Sequence, residues 1–109
     1  MNPFPYLDQQ EVKMLFAVIR QDKTNSLHIR LLERPKHLEY LKTVLDKIIY
    51  GGALIDDTGK QIGSMLIIDV ASKVEADAFT SADPFVDVDL FAITSVQQFR
   101  PVFKDGTWI

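Results

Sequence analysis

The chain of 109 residues contains no cysteine and only two histidines. The missing thiols exclude a cysteine nucleophile, a thiolate zinc site and an iron–sulfur cluster. A metal site usually needs three or more ligands, and two histidines nine positions apart match no familiar metal-binding spacing. Glycine-rich phosphate loops and other cofactor motifs are also missing. We therefore expect neither a metal nor an organic cofactor.

Long apolar segments are missing too. No stretch approaches the roughly 18 residues of a membrane-spanning helix, and the first residues lack the basic and apolar regions of a secretory signal. We expect a cytoplasmic protein with no membrane partner. Lys and Arg number 12 against 15 Asp and Glu, for a net charge of −3, which argues against nucleic-acid binding. With 47% hydrophobic and 25% charged residues, the composition is that of one globular domain.

The order of apolar runs and helix breakers predicts a β-α-β-β-α-β chain. A helix should begin at Pro35, which suits a first helical position, and end before Gly51–Gly52. A shorter helix should precede it, from residue 25 or 26 to 33. The Ser72–Glu75 spacing fits a capping box, and an apolar stripe of Val74, Ala78 and Ala82 should follow it. We predict strands over 14–19, 53–55, 62–70 and 90–99, and the main helices over 35–49 and from 72 to 82.

This order indicates an α+β protein with the ferredoxin-like arrangement, a four-stranded antiparallel sheet with both helices on one face. Residues 14–19 and 65–68 are continuously apolar, which is typical of strands that are buried on both faces. Two helices cover only one face. We therefore expect a homodimer that packs sheet to sheet. The alternative is that the chain's own tails fold under the sheet.

His37 and Asp83 are the candidates for chemistry. If the helix begins at Pro35, His37 lies in its first turn, where free backbone N–H groups disfavour the imidazolium form. A neutral imidazole can act as a general base at pH 7. Asp83 could orient that histidine, or it could simply cap a short turn that begins at Pro84. A half-buried histidine without a chemical role is the alternative for His37.

Three basic residues cluster around the predicted helix start. Arg30, Arg34 and Lys36 could draw an anionic substrate toward His37. They could equally form a solvated helix face with local ion pairs. The spacing of these residues does not choose between the two interpretations.

Three short motifs together resemble the YCII-related (YciI-like) family. They are Met-Leu-Phe-Ala-Val at 14–18, Arg-Pro-Lys-His-Leu at 34–38, and Ala-Asp-Pro-Phe at 82–85. The resemblance covers roughly residues 14–104, with 1–13 as an N-terminal extension and 105–109 as a C-terminal tail. It implies a ferredoxin-like subunit that forms a dimeric α/β barrel.

The resemblance also implies a pocket in which the motif histidine, His37, and the motif aspartate, Asp83, approach each other. The family is suspected of enzymatic activity because of this pair, and one activity attributed within it removes chloride from a chlorinated hydroxyquinol. Lys36 departs from the family pattern, where a small residue is commoner. Its charge either biases the pocket toward anions or points to solvent.

Two functional hypotheses follow. In the first, the chain is an enzyme for a small aromatic or enol-like substrate, and His37 moves a proton during elimination or isomerisation. Asp83 fixes the tautomer of His37, while Arg34 or Arg30 binds an anionic or phenolate oxygen. In the second, the chain is a non-catalytic dimer with a structural role or a bound small ligand.

Overall fold

The computed structural model describes residues 14–109, and it has the predicted α+β, ferredoxin-like topology. In chain order, the elements are β1 Met14–Asp22, α1 Leu27–Thr43, β2 Ile48–Ile55, β3 Gln61–Val70, α2 Lys73–Ser81, α3 Pro84–Asp87, β4 Phe91–Gln98, β5 Phe103–Lys104 and β6 Thr107–Trp108. Strands β1 to β4 form one antiparallel sheet in the order β2-β3-β1-β4, and the helices lie on one face of this sheet. A 3₁₀ turn, Leu45–Lys47, follows α1. The prediction for residues 1–13 lies outside the described residues.

The core lies between the sheet and the helices. Alternate residues of β1 point to opposite faces of the sheet, so Phe16 and Val18 share the helix-covered face with their β3 partners Ile68 and Leu66. The buried residues of this cluster are Phe16, Val18, Ile68, Val70, Ala76 and Phe79.

The opposite face of the sheet carries apolar side chains that no helix covers among the described residues. Ile19 is 42% exposed, Ile93 is 58% exposed and Tyr50 is 72% exposed. The β1–β4 and β2–β3 registers place all three on the face away from the core. We call this surface the open face.

The predicted break before Pro35 is wrong, because α1 is one continuous helix through that proline. Pro35 lacks an N–H group and cannot donate to the carbonyl of Leu31, yet this removes only one bond of the helix. Buried Arg30 precedes the proline and Leu41 packs against the core after it, so tertiary contacts hold both halves in line. His37 consequently lies well inside the helix, and the expected influence of a nearby helix N-terminus does not apply.

The predicted end of this helix is also wrong. The helix ends at Thr43 rather than Ile49, and Gly51 and Gly52 lie inside β2 instead of terminating the helix. Pairing of Ile48 with Ile68 of β3 explains the difference, because sheet hydrogen bonds override the local helical spacing. The helical spacing of Leu38, Leu41, Leu45, Ile48 and Ile49 predicts that all five form the core face of this helix. Leu41 and Ile48 do pack against the core, whereas the other three are exposed.

The capping box at the start of α2 is confirmed. Ser72 Oγ accepts a hydrogen bond from the Glu75 amide at 3.1 Å. The Glu75 carboxylate accepts in turn from the Ala71 amide at 2.9 Å. Two amides at this helix start therefore have side-chain partners.

The predicted apolar stripe of α2 is wrong. Val74 is 79% exposed, and Ala78 and Ala82 are also exposed. The helix instead buries Ala76, Phe79 and Thr80. Phe79 is the largest apolar side chain of this segment, so its burial in the core sets the rotation of the helix.

The turn residues at 56–60 predict a hairpin loop with Gly59 in a left-handed conformation, and the structure has this loop between β2 and β3. Gly59 has a φ of +88°, in the left-handed region that glycine adopts without strain. The Asp56 carboxylate accepts from the amides of Thr58 and Lys60 at 2.8 and 3.0 Å.

The glycine pair in β2 gives a matched test of this sheet. A Cβ at Gly51 would lie 2.3 Å from Leu66 Cδ2 and 2.7 Å from the Met65 carbonyl oxygen, whereas one at Gly52 would meet nothing within 4 Å. We expect Gly51→Ala to lower the free energy of unfolding by about 1–3 kcal/mol through overpacking. Gly52→Ala should stay within about 0.5 kcal/mol of wild type. Urea denaturation measures both, and equal effects of the two substitutions would contradict the β2–β3 register.

Candidate functional site

Arg20 brings a charge into the helix-covered side of the sheet. It follows Phe16 and Val18 in the alternation of β1, and it is only 2% exposed. Its Nη1 donates to Asp83 Oδ2 at 3.1 Å and its Nη2 donates to the Thr80 carbonyl at 2.6 Å. The guanidinium carbon lies 4.6 Å from the centroid of the Phe91 ring.

Asp83 is the N-cap of the short helix α3. Its Oδ1 accepts from the Phe85 amide at 3.0 Å, and Pro84 occupies a position in the first turn where the missing N–H costs nothing. The predicted short turn from Pro84 to Asp87 is therefore confirmed. The Asp83 residue is 4% exposed, so its carboxylate depends on protein donors.

His37 reaches the same carboxylate from α1. Its Nδ1 lies 3.0 Å from Asp83 Oδ1 and 2.9 Å from Oδ2. The side chain of His37 is 15% exposed. The Phe85 ring stacks on the imidazole with centroids 4.2 Å apart and an interplanar angle of 18°. The cap of α3 thus supplies both the carboxylate and the aromatic surface against which His37 is held.

The charge state of Asp83 determines which ring nitrogen of neutral His37 carries the proton. Burial raises the pKa of Asp83, but the hydrogen bonds from His37 and Phe85 and the charge of Arg20 outweigh it, and the net pKa is below its usual value. The carboxylate is ionised at neutral pH and can only accept hydrogen bonds. In a neutral His37 ring, Nδ1 must therefore carry the proton, and Nε2 presents a lone pair.

Tyr40 lies one turn beyond His37 on α1. Its hydroxyl donates to the Phe79 carbonyl at 2.6 Å. Burial raises the pKa of this phenol, as does the charge of Asp83, while Arg20 opposes the rise. Tyr40 is therefore a neutral phenol at pH 7, and it lies within electrostatic range of the Arg20–Asp83 ion pair.

Arg30, one of the predicted substrate-binding residues, is bound to a different carboxylate, that of Asp22. Its Nε and Nη2 donate to the two oxygens of Asp22 at 2.7 and 2.8 Å, and the pair is buried. The Arg30 guanidinium carbon lies 5.0 Å from the Phe85 ring centroid. Arg30 and His37 are seven residues apart on one helix, a rise of about 10.5 Å, so the Phe85 ring fits between them.

The two other basic residues of that cluster face solvent. Arg34 is exposed, and among residues 14–109 no hydrogen bond or ion pair of its side chain is seen. The side chain of Lys36 is 75% exposed and its Nζ lies 3.6 Å from Glu33 Oε2. The solvated interpretation of Lys36 is therefore the correct one.

Three residues around His37 are not among the predicted site residues: Arg20, Tyr40 and Phe85. A signal for Arg20 was available, because it continues the alternation of Phe16 and Val18 on a strand whose inner face is buried. A charged residue at such a position needs a buried partner. Nothing in the local sequence shows which carboxylate that partner is.

Other kinds of site find little support in the described part of the chain. Residues 14–109 contain no cluster of three or more metal-ligating side chains. None of the helices described there is long and apolar enough to cross a membrane. A groove of about 470 Å³ lies between the β1–α1 turn and the β2–β3 hairpin, and His28 lines it. His28 therefore lies in this groove and not in the site around His37.

The fold defines the broad class of the protein. An antiparallel sheet with helices on one face is the ferredoxin-like subunit fold of dimeric α/β barrels. A NIPSNAP family protein of unknown function from Agrobacterium tumefaciens strain C58 shows this fold, with a TM-score of 0.54 over 90% of this chain and 97% of that chain. It is 17% identical in sequence, so the likeness concerns the fold alone.

Closer relatives define the family. The YCII-related domain matches residues 14–100. Protein YciI of Escherichia coli O6:H1 (strain CFT073) is 34% identical over 98 residues, which cover 83% of this chain and 100% of that protein. The chain belongs to the YCII-related family, as the sequence motifs indicated.

A solved structure connects this family with an activity. It is the 5-chloro-2-hydroxyhydroquinone dehydrochlorinase TftG from Burkholderia phenoliruptrix AC1100, in complex with 2,5-dihydroxybenzoquinone. This enzyme is 35% identical to the chain, with a TM-score of 0.74, and the match covers 80% of this chain and 94% of that chain.

The lowered pKa of Asp83 predicts how stability depends on pH. A carboxyl group with a depressed folded-state pKa stabilises the fold above its unfolded value of about 3.9, and this contribution is lost as pH falls through the folded-state pKa. Asp83→Asn leaves Arg20 without its carboxylate, and we expect it to cost about 3–5 kcal/mol at pH 7. The difference between wild type and variant should shrink below about pH 4.

Urea denaturation of the two proteins from pH 7 to pH 3 measures this difference. The ionisable groups other than Asp83 are common to both proteins, and the same comparison in a His37→Gln background removes the contribution of the ring that contacts Asp83. A difference that stays constant down to pH 3 would show that Asp83 titrates alike in the folded and unfolded chains.

Proposed function

We propose that the chain is an enzyme that moves a proton on a small aromatic or enol-like substrate, with His37 as the base. The observation that carries the proposal is the contact of His37 Nδ1 with both oxygens of Asp83. It assigns the ring proton to Nδ1 and leaves Nε2 available to a substrate. Within residues 14–109, no hydrogen bond to Nε2 is seen, and the ring is partly exposed.

The proposed chemistry is elimination or isomerisation. In elimination, Nε2 takes a proton from an O–H or C–H group of the substrate, and the electron pair left behind forms a new double bond. A leaving group such as chloride departs with the electrons of its own bond, so the net change is loss of H–X. In isomerisation, the proton returns to a different atom. Neither route changes the total oxidation level, and the charge of imidazolium is balanced by Asp83.

The likeness to TftG supports the choice of substrate class. That relative is a dehydrochlorinase of a chlorinated hydroxyhydroquinone, and its complex holds 2,5-dihydroxybenzoquinone. Both molecules are planar rings with several oxygen substituents. For the present chain we propose ligands of the same chemical class, with an acidic O–H that an imidazole can deprotonate.

Binding of an anionic or phenolate oxygen is assigned to Arg34 in this proposal. Arg34 lies on α1 three residues before His37, within one turn of it, and its side chain is exposed. Arg30 is a weaker candidate for this role, because both Nε and Nη2 are bound to Asp22.

A non-catalytic dimer that binds a small ligand or has a structural role is the second candidate function. The observation in its favour is that Asp83 also builds the fold, as the cap of α3 and the partner of buried Arg20. A purely structural network would give the same contacts. Only a measurement of turnover separates the two functions.

We also propose that the chain forms a homodimer through the open face. Ile19, Tyr50 and Ile93 expose apolar surface on this side of the sheet, and contiguous exposed apolar surface is a mark of interaction sites. A second copy that packs sheet to sheet would bury these side chains.

The proposed enzyme is tested by chloride release from 5-chloro-2-hydroxyhydroquinone. We expect wild type to turn it over and His37→Gln to lower kcat by about 10²–10⁴-fold. Asp83→Asn should also reduce kcat, because the ring loses the acceptor that fixes its tautomer. The matched control is His28→Gln, which alters the other histidine and should keep wild-type kcat.

Two results would count against this proposal. Binding of phenolic or enolic compounds of this class by wild type, without conversion of any of them, would favour the non-catalytic dimer. Equal rates for wild type and His37→Gln would remove His37 from the reaction.

The proposed dimer is tested by sedimentation equilibrium. A subunit has a mass of 12.4 kDa, and we expect wild type to sediment at about twice that value, because association buries the open face. Ile19→Lys places a charge on the open face and should shift the protein toward monomer. Val74→Lys, on the outer surface of α2, is the control and should leave the mass unchanged. A monomeric wild type would contradict the proposed interface.

A further inference from the structure

We propose that Arg20 is the positioning residue of the site: it holds the Asp83 carboxylate ionised and fixed so that His37 keeps its proton on Nδ1. Arg20 acts through Asp83 and has no assigned contact with a substrate. Its importance for catalysis rests on the proposed function, but its effect on the His37 ring does not.

The two donors of Arg20 connect two separate acceptors. Nη1 binds Asp83 Oδ2 at 3.1 Å and Nη2 binds the Thr80 carbonyl at 2.6 Å. Thr80 belongs to the last turn of α2, where carbonyl groups lack helical partners. Its regular partner would be the amide of residue 84, but Pro84 has no N–H to donate. Arg20 supplies that missing donor, and its charge is favourable at a helix C-terminus.

The two N–H donors of Arg20, its guanidinium fork, therefore fix the corner between α2 and α3. Asp83 lies in this corner, two residues after the last residue of α2. Its carboxylate receives donors from β1, α1 and α3, through Arg20, His37 and the Phe85 amide. With all three in place, neither oxygen can turn away from His37 without breaking a hydrogen bond.

Loss of Arg20 would change both the position and the charge of this carboxylate. Burial alone raises the pKa of Asp83, and Arg20 is one of the groups that counteract it. Without the fork, Oδ2 has no donor but His37, and the corner loses its link to β1. The acceptor that selects the Nδ1–H form of His37 is then weaker and less well placed, so both tautomers become populated.

Arg30 is a matched control within the same structure. It is also a buried arginine, 5% exposed against 2% for Arg20, and it also pairs with a buried aspartate and lies over a phenylalanine ring. Its partner is Asp22, and it has no hydrogen bond to Asp83. Substitution of either arginine leaves a buried carboxylate unpaired, but only Arg20 holds the acceptor of His37.

The test is the ¹⁵N chemical shifts of the His37 ring at a pH where it is neutral. Arg20→Lys, Arg20→Gln, Arg30→Lys and Arg30→Gln are compared with wild type. We expect two well-separated nitrogen resonances in wild type and in both Arg30 variants. In Arg20→Gln the separation should narrow by about half or more, because the tautomers interconvert and average. The separation in Arg20→Lys should lie between those of wild type and Arg20→Gln, since a single ammonium restores the charge but not the two directed donors.

Wild-type ¹⁵N shifts of His37 in both Arg20 variants would overturn the proposal. Equal changes of these shifts in the Arg20 and Arg30 variants would also overturn it, because they would indicate general loosening of the fold. If Arg20→Gln does not fold, the two lysine variants decide by the same criteria. A specific change in the Arg20 variants without turnover of any substrate by wild type would support the positioning role and refute the proposed enzyme.

Discussion

The buried carboxylate of Asp83 is the constraint on which the rest of the site depends. An ionised carboxylate away from water is stable only when protein donors replace its hydration. Here the donors are the guanidinium of Arg20, the ring of His37 and the amide of Phe85. They come from β1, α1 and α3, so satisfying one side chain requires the sheet and two helices to meet at one point.

Aromatic rings complete the surroundings of that point. Phe85 stacks on His37 and meets Phe91 edge to face, with centroids 6.0 Å apart, while Phe91 lies against Arg20. These apolar surfaces keep water from the ion pair and strengthen its hydrogen bonds. They also fix the plane of the imidazole, which directs Nε2 away from the carboxylate.

Local chemistry in the sequence was enough to predict β1, β3 and β4, the capping box at Ser72 and the cap at Asp83, because each depends on neighbours a few residues away. The continuity of α1 through Pro35 was not predictable, since distant packing compensates for the lost hydrogen bond. The partner of Arg20 was not predictable either. The alternation of Arg20 with Phe16 and Val18 indicates a buried charge, but its partner Asp83 lies 63 residues further along the chain.

The ¹⁵N spectrum of His37 in wild type and in Asp83→Asn tests the central claim most directly, with His28→Gln to assign the signals. In neutral wild-type His37 we predict a protonated Nδ1 and an unprotonated Nε2, because an ionised Asp83 can only accept. In Asp83→Asn this preference should weaken, while the signals of His28 stay in place. A wild-type ring with its proton on Nε2, or one that does not respond to Asp83→Asn, would contradict the account.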